Sequence, residues 1–242
     1  MRRFFADIPS IDLEEISLPE DESKHIFRVL RMKEGDSLEI VNGNGEIFTG
    51  KIVLNSPKKV LVKKTNLKKV EKKEYHFHIA IAPTKNNDRI EWFLEKATEL
   101  GVDEVSLIIC DNSERKKVNI DRYRRIIISA MKQSKRIYLP KLNNLTTFSE
   151  FIKNHSNGLI AHCHENENRT TTIYREFQEN PKLWYANTPI LIGPEGDFSL
   201  SEVETAISNN YKPISLGDTR LRTETAGIYA CTTLKLLHEE AI

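Results

Sequence analysis

Apolar and polar positions change period at about residue 76 of the 242-residue chain. Before it they alternate. Ser37-Leu38-Glu39-Ile40-Val41 and Glu46-Ile47-Phe48-Thr49-Gly50-Lys51-Ile52 flank Asn42-Gly43-Asn44-Gly45. Two alternating runs around a Gly-rich turn predict a hairpin. Val60-Leu61-Val62 adds a third short strand, so a small β-barrel is the economical fold. Between these runs, Ser23 to Arg31 predicts a short helix that buries Ile26, Val29 and Leu30 and gathers His25, Arg28 and Arg31 on a neighbouring face. Gly43-Asn44-Gly45 with Gly50 does not make a nucleotide fingerprint, because the spacing is wrong and no helix follows.

Beyond residue 76 strands and helices alternate. Phe77-His78-Ile79-Ala80-Ile81-Ala82 predicts a strand. Asp88 with Glu91 three residues on predicts a helix start of capping-box type, Ile90, Phe93, Leu94 and Ala97 form its apolar stripe, and Gly101 ends it. Val105–Ile109 and Gly158–Ala161 predict further strands, Asp121 caps a helix carrying Ile126, Ile127 and Ala130, and Phe148, Phe151 and Ile152 mark another. This alternation argues a mostly parallel sheet with helices on its faces. Lys58 to Lys73, with eight lysines and one glutamate, is short of large apolar side chains and reads as the boundary between the two regions.

The last third carries the sharpest pattern. Pro189-Ile190-Leu191-Ile192 is a short apolar run of the kind buried on both faces of a sheet. It breaks at Gly193-Pro194-Glu195-Gly196, and Ser199-Leu200-Ser201-Glu202 opens a helix with a capping box. The arrangement recurs: Pro213 to Leu216 predicts a strand, Gly217 to Arg220 a turn, and Leu221 to Ala226 leads into a helix with Ala226, Ala230, Leu234 and Leu237 on one face. Loops after strand ends expose backbone at the carboxyl edge of a sheet, where open α/β folds bind ligands.

Composition narrows the class. With 39% hydrophobic and 29% charged residues the chain is expected to fold as a globular protein. No apolar run approaches a membrane span, and the N-terminus has no signal-peptide core. Cys110, Cys163 and Cys231 are odd in number and widely spaced, which suggests reduced thiols and a cytoplasmic address. A formal net charge of +1 hides a local excess: between Glu114 and Lys141 ten Lys and Arg face only Glu114 and Asp121. Arg124, Lys132 and Arg136 are spaced to share a helix edge, and such a face would track a phosphate backbone. P-loop and serine-hydrolase motifs do not occur. His162-Cys163-His164-Glu165 has metal-capable atoms but no second cluster at zinc spacing, so no metal site is expected.

The motifs Leu191-Ile192-Gly193-Pro194-Glu195-Gly196 with Phe198-Ser199 and Glu202, then Leu216-Gly217 and Leu221-Arg222-Thr223-Glu224-Thr225-Ala226, resemble those of the bacterial 16S rRNA uridine-N3 methyltransferases, the RsmE-type members of the SPOUT superfamily. The resemblance runs the full length, through Arg3-Phe4-Phe5, His25, Val29-Leu30-Arg31, Lys85, Lys96, Glu114-Arg115 and Gln133-Ser134. Asp197 departs from it where a second Gly is usual, and Gly227 where Ala is common.

The resemblance implies a PUA-like β-barrel for RNA recognition over 1–72 and a SPOUT α/β methyltransferase domain with a deep trefoil knot over 73–242. It implies an S-adenosylmethionine pocket walled by Ile160, Ala161 and His162, by Leu191, Ile192, Gly193, Pro194, Glu195 and Gly196, and by Leu216, Gly217, Leu221, Arg222, Thr223, Glu224, Thr225 and Ala226. RNA contacts are assigned to Arg3, His25, Arg28, Arg31, Arg115, Arg124, Lys132 and Arg136. The partners implied are 16S rRNA, within the assembled small subunit, and a second copy in a homodimer. The expected chemistry holds uracil N3 in line with the methyl group while its proton leaves. Arg222 suits the uracil carbonyl oxygens, and Glu195 or Glu224 the proton. The bland readings are a phosphate contact for Arg222 and helix capping for Glu224. The rival functions are another SPOUT methyltransferase acting on a different RNA, and a non-catalytic RNA-binding assembly factor.

Overall fold

The structure, a computed structural model, describes residues 1–164, 171–184 and 187–240. Its contacts divide the chain into two compact units, Met1–Lys72 with Ile128–Leu139, and Lys73–Ile127 with Pro140–Ile242.

The first unit contains β1 (Arg3–Phe5), β2 (Glu15–Ser17), α1 (Glu20–Lys24), β3 (Ser37–Val41), β4 (Glu46–Asn55) and β5 (Val60–Lys69). They form one five-stranded sheet in the order β1-β3-β4-β5-β2, with β1 parallel to β3 and the other pairs antiparallel. Leu38, Ile40, Phe48, Ile52, Val60 and Val62 are buried together, because alternate positions of each strand face one side. The expected hairpin is present: Gly43 (φ 77°) and Gly45 (φ 90°) take left-handed conformations, and the Asn42 side chain accepts the Asn44 N–H at 2.9 Å. Phe5, Val41 and Met131 are buried in a second apolar cluster against Ile128 and Leu139.

Two local expectations differ. The lysine-rich stretch read as a boundary does contain the break between the units, at Lys72 and Lys73, but it is mostly strand, since β5 runs to Lys69 and pairs with β4 along its length. Ladder hydrogen bonds satisfy its backbone while its lysines stay in water. The helix expected over Ser23–Arg31 is α1 followed by a π-helical turn, His25–Val29. Leu30 N–H donates to His25 O, an i→i+5 bond at 3.0 Å. The wider turn shifts the phase of the apolar stripe. Ile26 stays buried, but Val29 is 66% exposed.

The second unit contains β6 (His78–Ile81), α2 (Asn87–Leu100), β7 (Glu104–Ile109), α3 (Ile120–Gln133, shared with the first unit), β8 (Lys141–Leu142), β9 (Thr146–Thr147), α4 (Phe148–Asn154), β10 (Gly158–Ala161), β11 (Thr171–Thr172), α5 (Ile173–Glu179), β12 (Pro189–Ile192), α6 (Leu200–Ser208), β13 (Tyr211–Ser215) and α7 (Thr223–Glu240). The sheet runs β11-β13-β10-β12-β6-β7-β8, with β9 on β7, and every pair is parallel. All residues of β6, β10 and β12 are buried, as strands covered on both faces require. Two caps sit earlier than expected. Asn86, not Asp88, caps α2 by accepting the Asp88 N–H, and the Asn119 side chain accepts the Arg122 N–H at the start of α3, ahead of Asp121. Gly101 closes α2 at φ 111° as expected. Ala226, Ala230, Leu234 and Leu237 form the buried face of α7. Among the described residues no helix is long and apolar enough to cross a membrane.

Candidate functional site

A cleft of about 400 Å³ opens at the carboxyl ends of three adjacent strands, β13, β10 and β12. The end of β10 contributes Ala161, His162 and Cys163. The loop after β12 contributes Ile192 through Asp197, and the loop after β13 contributes Leu216, Gly217 and Thr219 through Thr223, with Ala226 from α7. Its volume lies in the range of small-molecule sites.

Side chains tie the three walls together. Thr223 Oγ1, buried, donates to Gly193 O at 3.0 Å and joins the start of α7 to the β12 loop. Asp197 Oδ2 accepts the Cys163 N–H at 2.7 Å and joins that loop to the end of β10. Its Oδ1 also accepts the Phe198 N–H at 2.8 Å. Asp197 sits at φ 64°, in the left-handed region. Glycine, which the resemblance led one to expect here, adopts that conformation freely, and aspartate is among the residues that tolerate it. Phe198 is fully buried against Phe148, ring centroids 5.7 Å apart, and anchors the loop beneath the cleft.

The glycines have reasons of their own. A Cβ at Gly193 would lie 3.1 Å from the Phe198 ring, and Gly217 holds φ 110° with open space around it. The first glycine is thus set by packing within the protein and the second by backbone conformation.

The rim is braced from behind. Glu195 Oε1 accepts the Lys85 N–H at 2.9 Å, and Arg115 donates to the carbonyls of Thr84 (2.8 Å) and Lys85 (2.6 Å). Asn112 Nδ2 donates to Gly196 O and Asp197 O, both at 3.1 Å. Ser199 and Glu202 form the expected capping box at α6, and Glu202 also accepts the Asp111 N–H at 3.0 Å. Burial pushes the Glu202 carboxyl above its ordinary value, against the pull of the backbone N–H groups it accepts.

Of the residues assigned to the pocket, Ala161, His162, Ile192 through Gly196, Leu216, Gly217, Leu221 through Thr223 and Ala226 line the cleft. Ile160 and Leu191 are wholly buried in the sheet and do not line it, and neither do Glu224 and Thr225. Glu224 is buried, its Oε1 is 3.8 Å from Arg89 Nε, and its Oε2 has no hydrogen-bond partner among the described residues. The cleft also draws in Cys163, Asp197, Thr219 and Arg220, which the sequence reading did not assign to it. Among these only Asp197 carried a signal, as a departure from the glycine expected there. Glu165, the acid of the His162–Glu165 stretch, lies outside the described residues.

The eight residues assigned to RNA are not equivalent. Arg3, its side chain 10% exposed, pairs with Glu39 at 2.9 Å and donates to the carbonyls of Lys135 and Arg136. Lys132 pairs with Glu22 at 2.6 Å, and Arg115 is held by the Thr84 and Lys85 carbonyls. Arg136 lies past the end of α3, so it cannot share a helix edge with Arg124 and Lys132. Glu91, from outside the basic stretch, holds Arg122 at 2.8 Å. His25, Arg28 and Arg31 are exposed on and just after the π turn.

Two family models match the chain, an RNA methyltransferase domain over residues 71–235 and an RNA methyltransferase PUA domain over residues 18–65. A Rickettsia conorii protein named ribosomal RNA small subunit methyltransferase E is 32% identical over 92% of this chain and 90% of its own. A Bacillus subtilis protein of the same name is 27% identical over 97% of this chain and 96% of its own. Among solved structures, a Porphyromonas gingivalis protein described as a probable rRNA-methyltransferase superposes with a TM-score of 0.84 at 38% identity, covering both chains fully. A Legionella pneumophila structure with the cofactor SAM bound superposes with a TM-score of 0.83 at 28% identity, covering 97% of this chain and 96% of its own.

Proposed function

Because the chain belongs to the RNA methyltransferase family, in the company of proteins named ribosomal RNA small subunit methyltransferase E, we propose that it methylates N3 of a uridine in 16S rRNA, using S-adenosylmethionine bound in the cleft. The observation that carries this reading is the cleft itself, three strand ends locked to one another by Thr223–Gly193 and Asp197–Cys163.

The residues present fit that cofactor. The walls offer backbone at Gly193, Gly196 and Gly217 and an apolar lining from Ile192, Leu216, Leu221 and Ala226. Glu195 and Asp197 supply negative charge suited to a sulfonium. Leu191 and Ile160 support the walls from within the sheet. When bound, S-adenosylmethionine supplies a methyl group that is already a good electrophile, so the protein's task is positioning, which contributes roughly 7–11 kcal/mol in well-oriented reactions.

Arg222, exposed on the cleft wall, donates to a uracil carbonyl oxygen and stabilises the negative charge that develops as the N3 proton leaves. Glu195, also on the wall, takes that proton. Its Oε1 already accepts the Lys85 N–H, which leaves Oε2 for the base. Glu224 acts differently from the proton acceptor first considered. Buried beside Arg89, it fixes the first turn of α7 and so the direction of Arg222.

Three finer statements belong to the same proposal. The first unit is a PUA-like barrel that engages the RNA. The second is a trefoil knot; the placement of β13 on one side of β10 and of α7 against β12, β6 and α2 on the other supports that reading. The protein works in the cytoplasm as a homodimer on the assembled small subunit, and the exposed Trp92, Tyr229 and Leu236 on α2 and α7 supply apolar surface for the second copy.

The test is a pair of measurements. S-adenosylmethionine at 100 times its Kd stabilises the native state by about 2.7 kcal/mol, a rise of roughly 5–10 °C in Tm for a chain of this size. Arg222→Ala keeps most of that rise and lowers kcat for methyl transfer by about 100-fold. No rise for the wild type would remove the cofactor from the cleft, and an unchanged kcat would remove Arg222 from the reaction.

A further inference from the structure

We propose that the π-helical turn His25–Val29 is a stacking platform for an unpaired nucleobase, with Phe27 as the ring and Arg28 and Arg31 holding the flanking phosphates. The inference rests on the RNA-methyltransferase reading above and says which form of RNA the first unit takes.

The turn is built against its own burial. A regular helix would place Val29 on the buried stripe with Ile26, three residues earlier. The i→i+5 bond from Leu30 N–H to His25 O turns it outward instead. Phe27 is 41% exposed and Val29 66%, while Ile26 alone among the turn's apolar residues is fully buried. Single exposed apolar residues are ordinary on a protein surface. An aromatic ring exposed on a rare helical distortion, a kind that concentrates at functional sites, with an exposed arginine next to it, is not. Arg31 then ends the segment at φ 50°, a left-handed conformation uncommon for arginine.

The local charges select the partner. The acids around the turn are mostly occupied: Glu20 pairs with Lys24 at 2.8 Å and Glu22 with Lys132 at 2.6 Å. Glu34 accepts the Asn55 N–H, and Asp36 the Lys33 N–H. Asp21 is the one exposed acid of α1 without such a bond among the described residues. Arg28 and Arg31 are exposed and pair with no carboxylate among the described residues. An exposed ring beside guanidinium groups that pair with no carboxylate among the described residues matches a nucleotide strand, whose bases stack on aromatic faces while its phosphates meet arginine.

A paired base cannot use such a platform, because its faces are already stacked in the helix. The reaction proposed for the cleft makes the same demand. Uridine N3 carries the Watson–Crick hydrogen bond, so a substrate uridine must be unpaired, and its neighbours are then free to leave the stack. Phe27 would take one of those neighbours.

The test compares Kd, by fluorescence anisotropy, for a labelled uridine-containing oligoribonucleotide as a single strand and as a duplex. The proteins are the full chain and its Phe27→Ala, Phe27→Trp and Arg28→Ala/Arg31→Ala variants. Phe27→Ala is expected to weaken single-strand binding by about 5- to 150-fold and to leave duplex binding unchanged, and Phe27→Trp to restore it. The double arginine variant is expected to reduce the salt slope of log K by about 1.4, while Phe27→Ala leaves that slope alone. All variants should bind S-adenosylmethionine as the wild type does, which shows they are folded. A wild type that binds RNA and transfers methyl while Phe27→Ala binds the single strand equally well overturns the platform alone. So does an equal loss for strand and duplex, or a loss seen only with assembled subunits, which would place a protein on Phe27. A wild type that neither binds RNA nor transfers methyl overturns the methyltransferase reading together with the platform.

Discussion

Replacing Asp197 separates the shape of the β12 loop from its connections. Asp197 does two opposed things. It occupies a left-handed conformation, which costs an L-residue roughly 1–2 kcal/mol, and its carboxylate accepts the Cys163 and Phe198 N–H groups at 2.7 and 2.8 Å. A hydrogen bond to a charged group contributes about 1.5–3 kcal/mol. The residue is partly exposed and the Phe198 bond is local, so the low end, about 2 kcal/mol for both bonds together, is the working figure. Asp197→Ala loses the bonds and keeps the strain, an expected cost of about 2 kcal/mol. Asp197→Gly loses the bonds but relieves the strain, leaving about 1 kcal/mol, and Asp197→Asn keeps one acceptor in a tolerated conformation, with a similar or smaller cost. If the Cys163 bond preorganises the cleft, these costs appear in cofactor binding. At 1.4 kcal/mol per tenfold, Asp197→Ala weakens Kd about 30-fold and Asp197→Gly about 5-fold. Isothermal titration of S-adenosylmethionine into the three variants reads both the size and the order. Wild-type affinity in Asp197→Ala, or weaker binding by Asp197→Gly than by Asp197→Ala, would refute the reasoning.

Other substitutions probe the frame. A Cβ at Gly227 would come within 2.5 Å of the Phe93 ring, so Gly227→Ala is expected to destabilise by about 1–3 kcal/mol in urea unfolding despite the better helix propensity of alanine, and Phe93→Leu should reduce that penalty. Thr223→Val leaves the Gly193 carbonyl without its donor; a loss of about 1–3 kcal/mol is expected, with cofactor binding weakened, and an unchanged Tm would show the tie to be unimportant. Stability should also fall in acid. His78 is wholly buried between Ser106 and Asn187, each 2.8 Å away, and burial pushes its pKa from 6.5 down to about 4, against the pull of Glu104. Below 6.5 the unfolded chain takes up a proton that folded His78 refuses. Its contribution is therefore complete above pH 6.5 and lost as pH falls to 4, about 3 kcal/mol over 2.5 units. Glu104 continues the trend. Burial raises its pKa, but bonds from His76, Asn143 and Lys141 and the charge of His78 outweigh that and lower it, so its share is lost at still lower pH. A flat stability between pH 7 and 4.5, or the same slope in His78→Gln, would contradict this assignment.

Much of the second unit was legible because its signals are local. The apolar run at Ile190–Ile192, the Gly193–Gly196 break and the Ser199–Glu202 capping box each specify their own conformation, and the structure holds them as expected. So does the face of α7 set by Ala226, Ala230, Leu234 and Leu237. What was missed depends on partners distant in sequence. Nothing near Arg3 announces Glu39, and nothing near Lys132 announces Glu22, so both arginine and lysine read as free cations. The lysines of β5 masked a strand whose stability comes from its ladder with β4. The caps at Asn86 and Asn119 were passed over for aspartates that sit two residues later, in the first turn, where acid is also favourable. The π turn left no trace in the pattern, because period-based reading presumes an ordinary helix. Burial of Glu224 beside Arg89, too, followed from how α7 packs on α2 rather than from the motif.

The central claim is methyl transfer to a uridine of small-subunit rRNA through this cleft. Purified small ribosomal subunits lacking base methylation, incubated with the protein and labelled S-adenosylmethionine and then digested for nucleoside mass spectrometry, test it directly. The account predicts labelled 3-methyluridine in 16S rRNA, lost with Arg222→Ala. Label in another nucleoside, in another RNA, or in none would contradict it.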